Sequence, residues 1–235
     1  MLELVYYIPI GTFIVSMIFS AVLFKHYLAK PGALYILWWL IGVLTYGAGT
    51  LTESLNTLVG WSENNFRWWY ITGALLGGAP LAQGTVYLIL KKQVAHILSA
   101  LLIITVIVAS VFVLQSPINF EMVNPEIMSG KIFEWQWVRA FSPFINIYAL
   151  AFLVGGAIYS AVKYYKSTGS GARFYGNLLI ALGGILPGIG GSFTRFGYVE
   201  VLYVTEFTGL ALIIWAYNIM RKDSQQSVHS TQKVV

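Results

Sequence analysis

Residues Ala33 to Leu55 read ALYILWWLIGVLTYGAGTLTESL, a run with a single charged side chain, Glu53. A helix that crosses a bilayer needs roughly 20 predominantly apolar residues, and this stretch supplies them. Trp39, Gly42, Tyr46, Gly49, Thr50 and Glu53, with Asn56 just beyond, recur at steps of three and four, so they share one helix face. That face is polar, aromatic and glycine-rich. Turned to lipid it would leave a carboxyl group in hydrocarbon, so it is expected to look inward.

Working outward, six more stretches of similar length and character follow the same punctuation by charge, Gly and Pro: Leu4 to Phe24, Trp68 to Leu90, Val94 to Leu114, Phe141 to Tyr164, Phe174 to Phe193 and Val199 to Met220. The whole chain is 57% hydrophobic and 10% charged, with a mean hydropathy of +0.72, whereas an ordinary soluble domain carries about 25% charged residues. The expected fold class is an all-α integral membrane protein, a bundle of seven transmembrane helices over residues 1–222 with a polar, disordered tail over 223–235. The first stretch is too long, and its flank too poor in positive charge, for a cleaved secretory signal. With no cysteine in the sequence, disulfides, thiolate metal sites and cysteine nucleophiles are excluded together.

Seven spans put the two termini on opposite sides. Of the 14 basic residues, Lys25, Lys30, Lys91, Lys92, Lys163, Lys166, Arg173, Arg221, Lys222 and Lys233 fall on one side, and Arg67, Lys131, Arg139 and Arg195 on the other. The positive-inside rule makes the richer side cytoplasmic, the N-terminus outside and the C-terminus inside. The basic balance is thus a matter of topology, and no nucleic-acid partner is expected. The long outer connection, Gln115 to Ala140, carries Phe133-Glu134-Trp135-Gln136-Trp137, an aromatic cluster suited to the headgroup region and to capping the bundle.

Spans 1 to 3 can be laid over spans 5 to 7 with span 4 as connector. Pro9 then matches Pro143, Tyr46-Gly47-Ala48-Gly49 matches Pro187 to Gly191, and Tyr87 before Lys91-Lys92 matches Tyr217 before Arg221-Lys222. This is a three-plus-one-plus-three parallel repeat of the kind some transporters show.

Charges inside a bilayer are costly and mark sites or partners by default. Glu53 in span 2 and Glu206 in span 7 qualify; at 1.5 Å per residue Glu206 lies about 21 Å from the inner end of its span, in the outer half. Arg195 at the outer end of span 6 and Asn146 in span 5 fall at similar levels. Together these four define an expected outward-facing cavity for a small or lipophilic ligand, lined by Trp39, Tyr46, Trp69, Tyr203 and Tyr217. A deeper polar layer holds Gln83 in span 3 and Asn177 in span 6. Pro80 and Pro187 lie inside spans, where each removes a helix hydrogen bond and permits a kink; their glycine flanks are hinges or close-packing surfaces.

Arg67-Trp68-Trp69-Tyr70 at the outer start of span 3, the placement of Glu206 and the seven-span plan resemble the opsin-like architecture of microbial rhodopsins over most of the chain. In that family a lysine one turn after the acidic residue carries retinal. Here that position is Leu210, and every basic residue lies at a span end or in a loop, so the resemblance does not extend to a retinal pigment. The third-span carboxylates of light-driven pumps are missing as well. Seven-helix zinc hydrolases need several histidines within the spans, and His26, His96 and His229 cannot make a three-ligand site. Small membrane terpene cyclases place one acid in the second span and one in the seventh, as Glu53 and Glu206 do. Their Asn-aromatic-x-Trp-Glu motif is not found at Gly49-Thr50-Leu51-Thr52-Glu53.

The sequence therefore points to a multipass protein of the cell membrane that binds a small or lipophilic ligand, a transporter or receptor-like protein, with an integral membrane enzyme using the two glutamates as acids as the alternative. Membrane lipids and the ligand are the expected partners, with homo-oligomers open and a separate signalling partner needed if it is a receptor. No cofactor and no metal are expected.

Overall fold

The computed structural model describes residues 2–232, and the side chains of all of these except 2–3, 195 and 225–232. A short helical turn, Leu2–Val5, leads into α1 (Ile8–Ala29). There follow α2 (Leu34–Val59), α3 (Glu63–Trp69), which passes into a π-helical segment Tyr70–Leu76, α4 (Ala79–Ile89) and α5 (Lys92–Gln115). The helix α6 is built from Phe141–Ala149, a π-helical segment Leu150–Gly155 and Gly156–Thr168, and is followed by α7 (Ala172–Phe193) and α8 (Val199–Gln232). Six of these, α1, α2, α5, α6, α7 and α8, are long and apolar enough to cross a membrane. Among the described residues there is no strand; two isolated bridges, Ile118 with Phe133 and Asn124 with Ile127, shape the outer loop.

The expected third span, Trp68 to Leu90, is not one helix. Its π-helical segment ends at Gly77, whose φ of +41° is closed to most side-chain-bearing residues, and α4 begins afresh at Ala79. Pro80 stands in the first turn of α4, where its missing N–H has no partner to lose. The break is thus made by glycine and not by proline. Pro187, by contrast, sits inside the continuous α7. The third span is broken and the seventh is not, so the two halves of the proposed repeat differ there. At the other end of the chain, α8 runs on as helix through Gln232, past the point at which the composition turns polar.

Six elements pack in a closed ring, in which α1 meets α2, α2 meets α4, α4 meets α6, α6 meets α7, α7 meets α8, and α8 returns to α1. The helix α5 lies outside the ring against α4 and the π-helical segment. Small residues set the closest approaches, as expected where lipid removes the hydrophobic drive and packing decides. A β-carbon added at Gly183 would lie 2.6 Å from the Gly209 carbonyl oxygen, and one at Gly209 would lie 2.6 Å from that of Gly183, so the two glycines form the seam between α7 and α8. The glycines around Pro187 therefore divide by face: Gly183 and Gly190 meet α8, while Gly188 and Gly191 face open space.

A second, aromatic core lies where α3 meets the loop between α5 and α6. Phe66, Tyr70, Phe133 and Val138 are buried together with Val113 and Ile132, which fastens the loop between α5 and α6 onto α3. Arg67 locks the same region. Its guanidinium is paired with Glu63 at 2.7 Å and donates to the carbonyl oxygens of Val113 and of Ser116 (2.9 Å), the free acceptors at the end of α5.

Candidate functional site: a pair of carboxyl groups

Glu53 lies near the outer end of α2 and is 3% exposed. Opposite it, Gly49 lets the π-helical segment come close; a β-carbon there would meet Gly73 Cα at 3.3 Å. This approach brings Trp69 within reach, and its indole N–H donates to Glu53 Oε1 at 3.1 Å. Glu206, in the second turn of α8, is brought beside Glu53 by the bond that its own main-chain oxygen accepts from Tyr46, and each of the two carboxyl groups keeps a buried oxygen without a donor. Tyr46, two turns below Glu53, donates its O–H to the main-chain oxygen of Glu206 at 3.0 Å and ties α2 to α8. Tyr203, one turn before Glu206, is buried and packs edge-on against Tyr6, with ring centroids 6.1 Å apart.

The site is covered by the loop between α5 and α6. Asn56, one turn beyond Glu53, donates from Nδ2 to the carbonyl oxygen of Pro125 at 3.0 Å. Ile127, in the same turn of the loop, packs on Val199, Leu202 and Tyr203 at the start of α8. The turn Asn124–Ile127 therefore bridges the C-terminal end of α2 and the N-terminal end of α8. Beneath it, no hydrogen-bond donor among the described residues reaches Glu53 Oε2, Glu206 Oε2 or Asn56 Oδ1, all of which are buried. Two neighbouring carboxyl groups, with an oxygen left over on each, are an arrangement that a protein meets by holding a proton or a cation between them.

The residues expected to share one cavity separate into four groups. Glu53, Glu206, Tyr46, Trp69 and Tyr203 come together as described. The side chain of Arg195 lies outside the described residues; its main chain belongs to the turn Thr194–Phe196 before α8. Trp39 lies 14 positions before Glu53 on α2, about 21 Å along the axis. With Tyr217 it lines a cavity of about 40 Å³ at the opposite end of the bundle, walled also by Phe19, Leu81, Ile180 and Ile213. The Tyr217 hydroxyl is hydrogen-bonded to His26 Nδ1 at 2.8 Å.

Gln83 and Asn146 serve other purposes. Gln83 is fully buried; its Nε2 donates to the Ala95 carbonyl oxygen (3.0 Å) and to Ser99 Oγ (2.7 Å), and its Oε1 accepts from the Tyr148 hydroxyl. Ser99 donates to the Tyr87 hydroxyl at 3.0 Å, which is bonded to His96 Nδ1 at 2.8 Å, and this chain holds α5 to the ring. Asn146 donates to the Ala74 carbonyl oxygen at 3.3 Å and so takes up an acceptor at the broken third span.

The sequence reading did not foresee Arg67 as the lock on α5, although Glu63 and Arg67 stand at the i, i+4 spacing of a helical ion pair. Nor did it pair Trp69 with Glu53, a contact between elements that no local pattern encodes. Among the described residues no group of three or more His, Cys, Asp or Glu side chains is placed to hold a metal ion. No protein-family model, curated protein or solved structure matches this chain.

Proposed function

We propose that the chain is a seven-span protein of the cell membrane, with its N-terminus outside and its C-terminus inside, that carries a small molecule across the bilayer coupled to protons through Glu53 and Glu206. In this reading the six long helices and the broken segment Glu63 to Ile89 are the seven spans. The observation that carries it is the carboxyl pair with a buried, unpartnered oxygen on each member. Burying such groups costs several kcal/mol that a well-packed apolar pair would not, a cost that makes sense where the groups bind and release an ion. The discontinuous third span supports the same reading, because secondary transporters build their sites beside broken helices.

The test is transport by purified protein in liposomes loaded with a pH-sensitive dye and offered a panel of small solutes. A solute-driven pH change in the wild type, lost in both Glu53→Gln and Glu206→Gln, is the expected result. A change of the same size in either variant overturns proton coupling by the pair. Conversion of an isoprenoid by the purified protein, lost in Glu53→Gln, would replace transport with acid catalysis between the aromatic walls Tyr46, Trp69 and Tyr203.

A further inference from the structure

The buried side-chain oxygens without a partner among the described residues are Ser20 Oγ in α1 and three at the outer site, Glu53 Oε2, Asn56 Oδ1 and Glu206 Oε2. The three outer ones share one chemistry. Each is an acceptor, and the Asn56 amide is oriented by its bond to Pro125, which leaves the oxygen free. Asn56 is 9% exposed and stands one helical turn from Glu53 on the same face of α2. A site made of unfilled acceptors asks for a guest that brings donors.

Its other walls are aromatic. Trp69 faces it from α3, Tyr46 from α2 and Tyr203 from α8, with Tyr6 behind Tyr203. Aromatic walls around three open acceptors suit an organic cation that brings its own N–H donors better than a hard metal ion such as calcium, which takes about six to eight oxygen ligands. An anion would be repelled. Among the described residues the charged and titratable groups around the pair are Tyr46 and Tyr203, Glu200, half-buried at the start of α8, and Arg67, already held by Glu63 and the end of α5.

Building on the reading of this pair as the transport site, we propose that its cargo is a protonated primary amine with an apolar or aromatic body, exchanged one for one with the proton the two carboxyl groups otherwise share. The exchange balances. A carboxylic acid beside a carboxylate carries one net negative charge; when the acid gives up its proton and an ammonium group enters, two carboxylates and one cation carry the same net charge. The ammonium N–H groups then donate to the oxygens left open, and the bilayer encloses the same charge in both states, so neither occupant is favoured by the cost of burial alone.

The test uses full-length protein in lipid nanodiscs, in weakly buffered solution with a pH indicator, titrated with benzylammonium chloride. Benzyltrimethylammonium chloride, sodium chloride and sodium benzoate serve as comparisons, and each variant is first shown to melt cooperatively. Saturable release of one proton per protein on adding benzylammonium is expected, abolished in Glu53→Gln and in Glu206→Gln and retained in Gly188→Ala, whose added methyl group meets nothing within 4 Å. Equal release with benzyltrimethylammonium or sodium ion overturns recognition through N–H donors. If benzylammonium releases nothing while the infrared band of a protonated carboxyl group at the pair is present, the cargo is wrong and the proton site stands. If that band is absent too, both fail.

Discussion

At Trp69 an indole N–H meets a buried carboxyl oxygen, and removing that one donor is a clean perturbation. Trp69→Phe keeps the ring stacked near Phe66 and Tyr70 but leaves Glu53 Oε1 without its 3.1 Å bond. The expected loss is about 1–3 kcal/mol of stability, the range for stranding a buried acceptor, read as a lower melting temperature in detergent. Glu206→Gln should behave differently. Its amide N–H can donate to Glu53 in place of the shared proton, so the variant should melt near the wild-type temperature while losing proton exchange; a strongly destabilised Glu206→Gln would show that the carboxyl group is there for structure. Both glutamates stand out in the sequence because charge in lipid is expensive. That they meet each other is a fact of the tertiary fold, and Asn146 illustrates the converse, since a polar residue at the right depth turns out to serve the backbone of its neighbour.

At the scale of elements, the third span decides how the pair is held. Gly77, with φ +41°, lies where an added β-carbon would also meet Asn146 Oδ1 and the Gly73 carbonyl oxygen at 3.2 Å. Gly77→Ala is expected to cost about 1–3 kcal/mol, the usual cost of forcing a side chain into such a backbone conformation. Gly49→Ala presses on the Gly73 backbone and should push the π-helical segment off α2, weakening the Trp69–Glu53 contact, which tryptophan fluorescence can follow. Gly188→Ala meets nothing within 4 Å and stands in the middle of α7. It should be neutral or stabilising by a few tenths to about 1 kcal/mol. Hydropathy located the apolar stretches well because length and composition are what a bilayer selects. It could not distinguish Gly77, which breaks a helix, from Gly183, which packs one, because both read as glycine in an apolar run and only the partner surface separates them.

For the whole molecule, the uneven distribution of basic residues predicts the orientation. The chain has no cysteine, so single introduced cysteines report without background. An impermeant maleimide applied to intact cells should label Glu121→Cys in the loop between α5 and α6 and leave Ser167→Cys, in the last turn of α6, unlabelled until the cells are opened. The reverse pattern would turn the protein over and place the carboxyl pair in the cytoplasmic half. The loop between α5 and α6 reads from sequence as an interfacial aromatic segment. Its contacts through Pro125 and Ile127 make it, in addition, the cover of the site, which composition alone does not reveal.

The most direct measurement of the central claim is infrared spectroscopy of the protein in lipid, with exchange into heavy water. A shared proton on the Glu53–Glu206 pair should give a protonated-carboxyl C=O band that shifts on deuteration and vanishes in both Glu53→Gln and Glu206→Gln. The same band persisting in both variants, or no such band in the wild type, would contradict it.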